Sequence, residues 1–169
     1  RRGTLLHRLL QALPDIPPDR RTEAARKFLA RKARGFDEDE KTTMLAEVLR
    51  VLDDTRFAPL FIPGTRAEVP IVGRLAGAKP VRVSGQVDRL AITDEAVLIA
   101  DYKTNRPAPR RIEDVPPAYV TQLALYRAVL EKLYPGRDVR AALVFTDVPE
   151  LMELSSSALD AELVRVTTP

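Results

Sequence analysis

The stretch Val81 to Thr104, VRVSGQVDRLAITDEAVLIADYKT, constrains this chain more than any other. Val81, Val83, Val87, Leu90 and Ile92 precede the turn residues Asp94 and Glu95, and Val97, Leu98, Ile99 and Tyr102 follow them, an enrichment that favours paired strands. A symmetric loop, either Asp94-Glu95 alone or Thr93 to Ala96, gives a β-hairpin in which Asp88 lies opposite Asp101. The same register sets Gln86 against Lys103, Leu90 against Ile99 and Ile92 against Val97, all on one face, because strand side chains alternate with a period of two. That face is apolar near the turn and ionic at its far end.

Two directly opposed carboxylates, with Cβ atoms about 5 Å apart, repel each other and call for a cation between them. Lys103 supplies part of that charge, and a structural ion pair is the alternative, although a purely structural site would more cheaply pair each Asp with its own Arg or Lys. Two converging carboxylates are also the usual oxygen site for a hard divalent ion such as magnesium. Asp101 and Lys103, two apart on one strand, project side by side. The ammonium is therefore placed to orient a nucleophilic water or to stabilise charge developing on a phosphate.

An acidic residue on one strand followed by (D/E)-X-K on the next, here Asp88 and then Asp101-Tyr102-Lys103, resembles the PD-(D/E)XK nucleases. GQVDRL, IADYKTN and QLALYR in that order resemble more narrowly the nuclease domain of AddA and RecB helicase-nucleases, from the Arg2-Gly3-Thr4-Leu5-Leu6-His7 opening to the Thr146 region, with Tyr134-Pro135-Gly136 nearer AddA. The resemblance implies an α/β fold, a restriction-endonuclease-like mixed β-sheet flanked by helices. It implies a magnesium-dependent DNA exonuclease, with manganese able to substitute, acting in double-strand-break repair and recombination. His7, in a G-x-x-x-H context, would join Asp88, Asp101 and the Tyr102 carbonyl at the metal. Gln122 and Tyr126 match a Q-x-x-x-Y motif of the active site, and Glu68 stands where an accessory acidic residue occurs.

Composition narrows the field from another side. A hydrophobic fraction of 45%, with no apolar run near the roughly 20 residues of a membrane span, leads us to expect one domain with a full core and no membrane partner. With no cysteine, thiol nucleophiles, disulfides and cysteine-ligated zinc or iron-sulfur clusters are excluded, which separates the chain from iron-sulfur nucleases such as the partner subunit AddB. A net charge of +3 is compatible with a polyanionic partner without requiring one. The chain opens Arg1-Arg2-Gly3-Thr4 without a methionine, so residues 1–169 are expected to be a single nuclease domain from a longer helicase-nuclease. No G-x-x-x-x-G-K-[ST] loop occurs, so any ATP-driven helicase activity belongs to the parent protein.

Around the hairpin, leucine spacing predicts a helix over Thr4 to Leu13, ended by Pro14 and carrying the only histidine. Arg20 to Ala33 forms a basic helix that reads as a solvated face or as a phosphate-contacting one. Asp37 to Asp53 forms a helix opened by DEDE, with Met44, Leu45, Val48, Leu49 and Leu52 buried. Arg66 to Leu75 is a strand. A Pro- and Arg-rich loop follows Lys103 and offers Arg106, Arg110 and Arg111 for phosphate contacts. A helix runs from Pro116-Pro117 to about Leu133, and on it Gln122 and Tyr126 share a face. A strand over Asp138 to Thr146 and a helix over Ser155 to Val166 close the order.

The expected partners are DNA, as a single strand fed by a helicase, and an AddB-like subunit, in the bacterial cytoplasm at the nucleoid. The competing expectation is a catalytically silent module of the same fold that serves DNA binding or subunit docking.

Overall fold

A computed structural model describes all residues, 1–169. The chain divides into two compact units. No helix is long and apolar enough to cross a membrane.

The first unit comprises Arg1–Thr65 with Tyr102–Ala108 and Val144–Leu151. Helix α1 (Arg2–Ala12) buries Leu5, Leu6, Leu9 and Leu10, then tightens into a 3-10 turn over Leu13–Asp15 where Pro14 cannot continue the α-helical hydrogen bonds. Helix α2 (Pro18–Lys32) starts on a proline whose missing N–H costs nothing there. Helix α3 (Glu38–Leu52) is fixed by a capping box: Glu40 N–H donates to Asp37 Oδ1 and Asp37 N–H to Glu40 Oε2, each at 2.8 Å. It buries Met44, Leu45, Val48, Val51 and Leu52, so Val51 takes the place expected of Leu49, which is half-buried. Phe57, Leu60 and Phe61, on a 3-10 stretch over Thr55–Phe61, complete this core. Arg2 ties α1 to α3 and to the Val144–Leu151 stretch, donating to Glu47 and to the Asp147 carbonyl.

One residue corrects the sequence reading. Arg21, counted there with the exposed basic face of α2, is only 5% exposed. Its Nε donates to the carbonyls of Leu13 (3.1 Å) and Ile16 (3.0 Å), and its Nη2 to Pro14 (3.2 Å) and to Phe61. Carbonyls at a helix end have no partner within the helix, and Pro14, Pro17 and Pro18 have no N–H to offer them. A five-donor guanidinium satisfies several at once.

The second unit comprises Arg66–Asp101, Pro109–Leu143 and Met152–Pro169. Its strands belong to a five-stranded sheet in the order β1-β2-β3-β4-β5: β1 (Arg66–Leu75), β2 (Val81–Ile92), β3 (Ala96–Lys103), β4 (Asp138–Phe145) and β5 (Leu151–Leu154). The first three are antiparallel neighbours. β4 runs parallel to β3, since Asp138 N–H donates to Glu95 C=O and Thr146 N–H to Lys103 C=O at the same offset. Such a connection needs a crossover, and helix α4 (Pro117–Leu133) provides it. The sheet is therefore mixed, as expected; β5, only four residues long, had no counterpart in the sequence reading. Helix α5 (Ser156–Thr167), capped by Ser155, packs on α4, which also covers β1 and β2. This double burial explains why α4 hides residues nearly all round.

Candidate active site

The hairpin loop is symmetric. Thr93 N–H donates to Ala96 C=O at 2.8 Å, while Thr93 Oγ1 accepts from Ala96 N–H at 2.9 Å. The strands then pair as Ile92↔Val97, Ala91↔Leu98, Leu90↔Ile99 and Arg89↔Ala100, the register that the sequence predicted. Asp88 and Asp101 are the next residue on each strand beyond Arg89↔Ala100. Asp101 is buried and Asp88 half-buried, in the second unit.

β1 brings a third carboxylate to the same level. Ala67↔Arg89 and Val69↔Val87 bracket Glu68 opposite Asp88, and Glu68 has a φ of 51°, the left-handed region that a residue with a Cβ rarely occupies. No group of three or more His, Cys, Asp and Glu converges as a metal-ligating cluster. The donor chemistry nonetheless fits magnesium, a hard cation that takes one or two carboxylates and fills its remaining positions with water and substrate phosphate. Arg89, which sequence reasoning passed over, is 1% exposed between Ala67 and Ala100. Its neighbours on both flanking strands are alanines, a setting visible only once the register is known.

The unusual φ of Glu68 supports an expected result. Glu68→Gly raises stability by about 1 kcal/mol in urea unfolding, because glycine enters the left-handed region without the Cβ clash. Glu68→Ala, which removes the carboxylate but keeps the clash, leaves stability near that of the parent. If Glu68 is an accessory acid, both variants lose the same fraction of cleavage.

Other predicted site residues fall in the first unit. His7 lies on α1, its ring edge-on to Tyr102 at 5.6 Å between centroids. The buried Tyr102 hydroxyl donates to Leu10 C=O at 3.3 Å, anchoring the end of β3 to α1. Lys103 follows, half-buried, its carbonyl accepting from Thr146 N–H at 2.8 Å. Arg106 stays half exposed, 3.8 Å from the Asp147 carboxylate. Gly3 leaves room for it: a Cβ there would come within 3.3 Å of the Arg106 Nη2.

Gln122, Tyr126, Arg110 and Arg111 belong to the second unit. Gln122 is half-buried, and its Nε2 donates to the hydroxyl of buried Tyr126 at 3.1 Å. Tyr126 in turn lies against the bare backbone of Gly85. Arg110 is exposed, and Arg111 pairs with Asp114 at 3.2 Å while remaining largely in solvent.

A protein-family model describing the PD-(D/E)XK nuclease superfamily matches residues 1–166. The chain belongs to the PD-(D/E)XK nuclease superfamily. Members are phosphodiester-hydrolysing nucleases that act on DNA and generally use divalent metal ions, usually magnesium. Among solved structures, one described as "Crystal structure of SSO0001" is similar over 96% of this chain and 83% of that one, at 15% identity and a TM-score of 0.39. No curated protein matches the chain.

Proposed function

We propose that this PD-(D/E)XK chain is the nuclease module of an AddA-type helicase-nuclease, a magnesium-dependent exonuclease that cuts single-stranded DNA during double-strand-break processing. The observation that carries the reading is the β2–β3 register, which makes Asp88 and Asp101 the next residues after a paired Arg89↔Ala100, with Lys103 two positions further along β3. The sequence likeness of GQVDRL, IADYKTN and QLALYR to AddA supports the narrower assignment, and with it an AddB-like partner and a bacterial, nucleoid-associated setting. The span of the family model over residues 1–166 supports a single nuclease module.

In this reading Asp88, Asp101, the Tyr102 carbonyl and His7 hold the metal. A magnesium ion bound there would supply Lewis-acid polarisation of the scissile phosphate and lower the pKa of attacking water. Lys103 orients that water or meets the charge that builds on the phosphate, Gln122 and Tyr126 support the site, and Glu68 assists as an accessory acid. Arg106, Arg110 and Arg111 contact phosphates. They position the strand without reading its sequence.

Incubating the chain with end-labelled single-stranded DNA under magnesium, calcium or chelator tests the proposal. Magnesium is expected to give metal-dependent shortening from an end, and chelator none. DNA binding without cleavage under any metal would establish the catalytically silent module instead. Products from internal cuts alone would remove the exonuclease assignment.

A further inference from the structure

Two glycines on adjacent strands of the second unit face α4. A Cβ on Gly73 would meet Val129 Cγ1 at 2.8 Å and Cγ2 at 2.9 Å. A Cβ on Gly85 would meet Tyr126 at 2.6 Å from Cζ and 2.9 Å from Cε1, and would come closer still to the hydroxyl. The register confirms that both belong to one covered face: Gly73 pairs with Val83 and Gly85 with Ile71, and Val83 and Ile71 are buried. Glycine within a strand commonly marks such a close approach.

Asp88 is three residues beyond Gly85 on β2, whose pairing with β1 keeps one register from Leu75↔Val81 to Arg66↔Leu90. Strand alternation therefore puts the two positions on opposite faces. Tyr126 touches the back of the strand that presents the aspartate, and the Gln122 amide, donating to its hydroxyl, fixes the direction of that contact.

We propose that Gly85, Tyr126 and Gln122 form a positioning device: α4 bears on bare β2 backbone and so sets how far Asp88 is presented on the other face. This rests on the nuclease reading. Tyr126 and Gly85 are then positioning residues that act through the strand. A Cβ at residue 85 pushes β2 from α4 and shifts the carboxylate, whereas a Cβ at residue 73 strains the same helix from β1.

The test measures kcat at saturating single-stranded DNA, KM for DNA and the magnesium concentration for half-maximal rate. Parent, Gly85→Ala, Gly73→Ala, Tyr126→Phe, Tyr126→Leu and the double variant Gly85→Ala/Tyr126→Leu are compared, each checked as folded by thermal melting. Gly85→Ala is expected to lower kcat on the order of a hundredfold, the usual effect of displacing a reacting group by about 1 Å, and to raise the magnesium requirement with KM for DNA unchanged. Gly73→Ala lowers the melting temperature without this pattern. The double variant is no slower than Tyr126→Leu alone, because the shortened side chain no longer meets the new Cβ. Should Gly85→Ala fail to fold, Tyr126→Phe carries the test, with kcat down and magnesium requirement up at unchanged KM. Equal kcat losses from Gly73→Ala and Gly85→Ala, additive losses in the double variant, or parental kinetics for folded Tyr126→Phe each overturn the device. The parent's own metal-dependent cleavage decides the nuclease reading separately: a parent that does not cleave overturns both, and one that cleaves leaves the device to the variants.

Discussion

Replacing Asp101 by alanine abolishes cleavage, lowering kcat by roughly a thousandfold or more, and removes most of the thermal stabilisation that magnesium confers on the parent. Both effects follow from one assignment. In the proposed site Asp101 helps hold the ion that meets charge in the transition state, and loss of one such electrostatic element costs about a hundredfold to a thousandfold by itself. A ligand that binds only the folded protein stabilises it by mass action, about 2.7 kcal/mol at a hundred times its Kd. A variant short of one of two carboxylates needs far more metal for the same gain.

Asp101→Asn separates charge from shape, since the amide keeps the volume of the side chain on β3 and loses the anionic oxygen. It should be as inactive as Asp101→Ala while folding like the parent. Melting curves with and without magnesium, alongside the cleavage assay, check both statements. Equal metal-induced shifts in parent and variant, with unchanged cleavage, would falsify the assigned site.

Arg21→Met is expected to destabilise the protein by about 3 kcal/mol without altering the chemistry of the site. The guanidinium donates to the carbonyls of Leu13, Pro14, Ile16 and Phe61. Leu13 keeps the Ile16 N–H, so removal of the guanidinium leaves the buried Pro14 and Phe61 carbonyls without this donor, each costing about 1–3 kcal/mol when unsatisfied. Entry of water at the partly buried Ile16 end offsets some of this. For a chain of this length the loss corresponds to roughly 10 °C in Tm. Arg21→Lys keeps the charge but not the planar fork, and should lie between the two. Urea unfolding with unchanged m-value measures the differences. A loss below about 0.5 kcal/mol, the range of ordinary surface changes, would show that Arg21 is not the clasp described.

The sequence read well wherever the deciding forces were local. Turn symmetry around Asp94-Glu95 and the two-residue period of strands are enough to give the pairing from Ile92↔Val97 to Arg89↔Ala100. The acidic run before Lys41 marked the start of α3 because carboxylates there accept from unsatisfied N–H groups, and Asp37 and Glu40 do so. Pro14 and the leucine spacing likewise gave the end of α1 to within a residue. The hairpin register is the part of the proposed site that was legible in this way, since alternation on two paired strands orders Asp88, Asp101 and Lys103.

Tertiary structure decided the rest, because each remaining feature depends on a partner distant in sequence. Nothing near Arg21 in the sequence distinguishes it from Arg20, and only the arrival of the Phe61 carbonyl and the end of the α1 turn makes burial of its charge favourable. Arg89 is buried at a level where β1 and β3 present Ala67 and Ala100, neighbours that only the sheet register assigns. Glu68 adopts a left-handed φ inside a strand that propensity alone would make regular. Gly85 reads in sequence as a weak point of β2. It is instead where Tyr126, from a helix more than thirty residues later, reaches the backbone, and a glycine is needed because any Cβ would occupy the space of that ring.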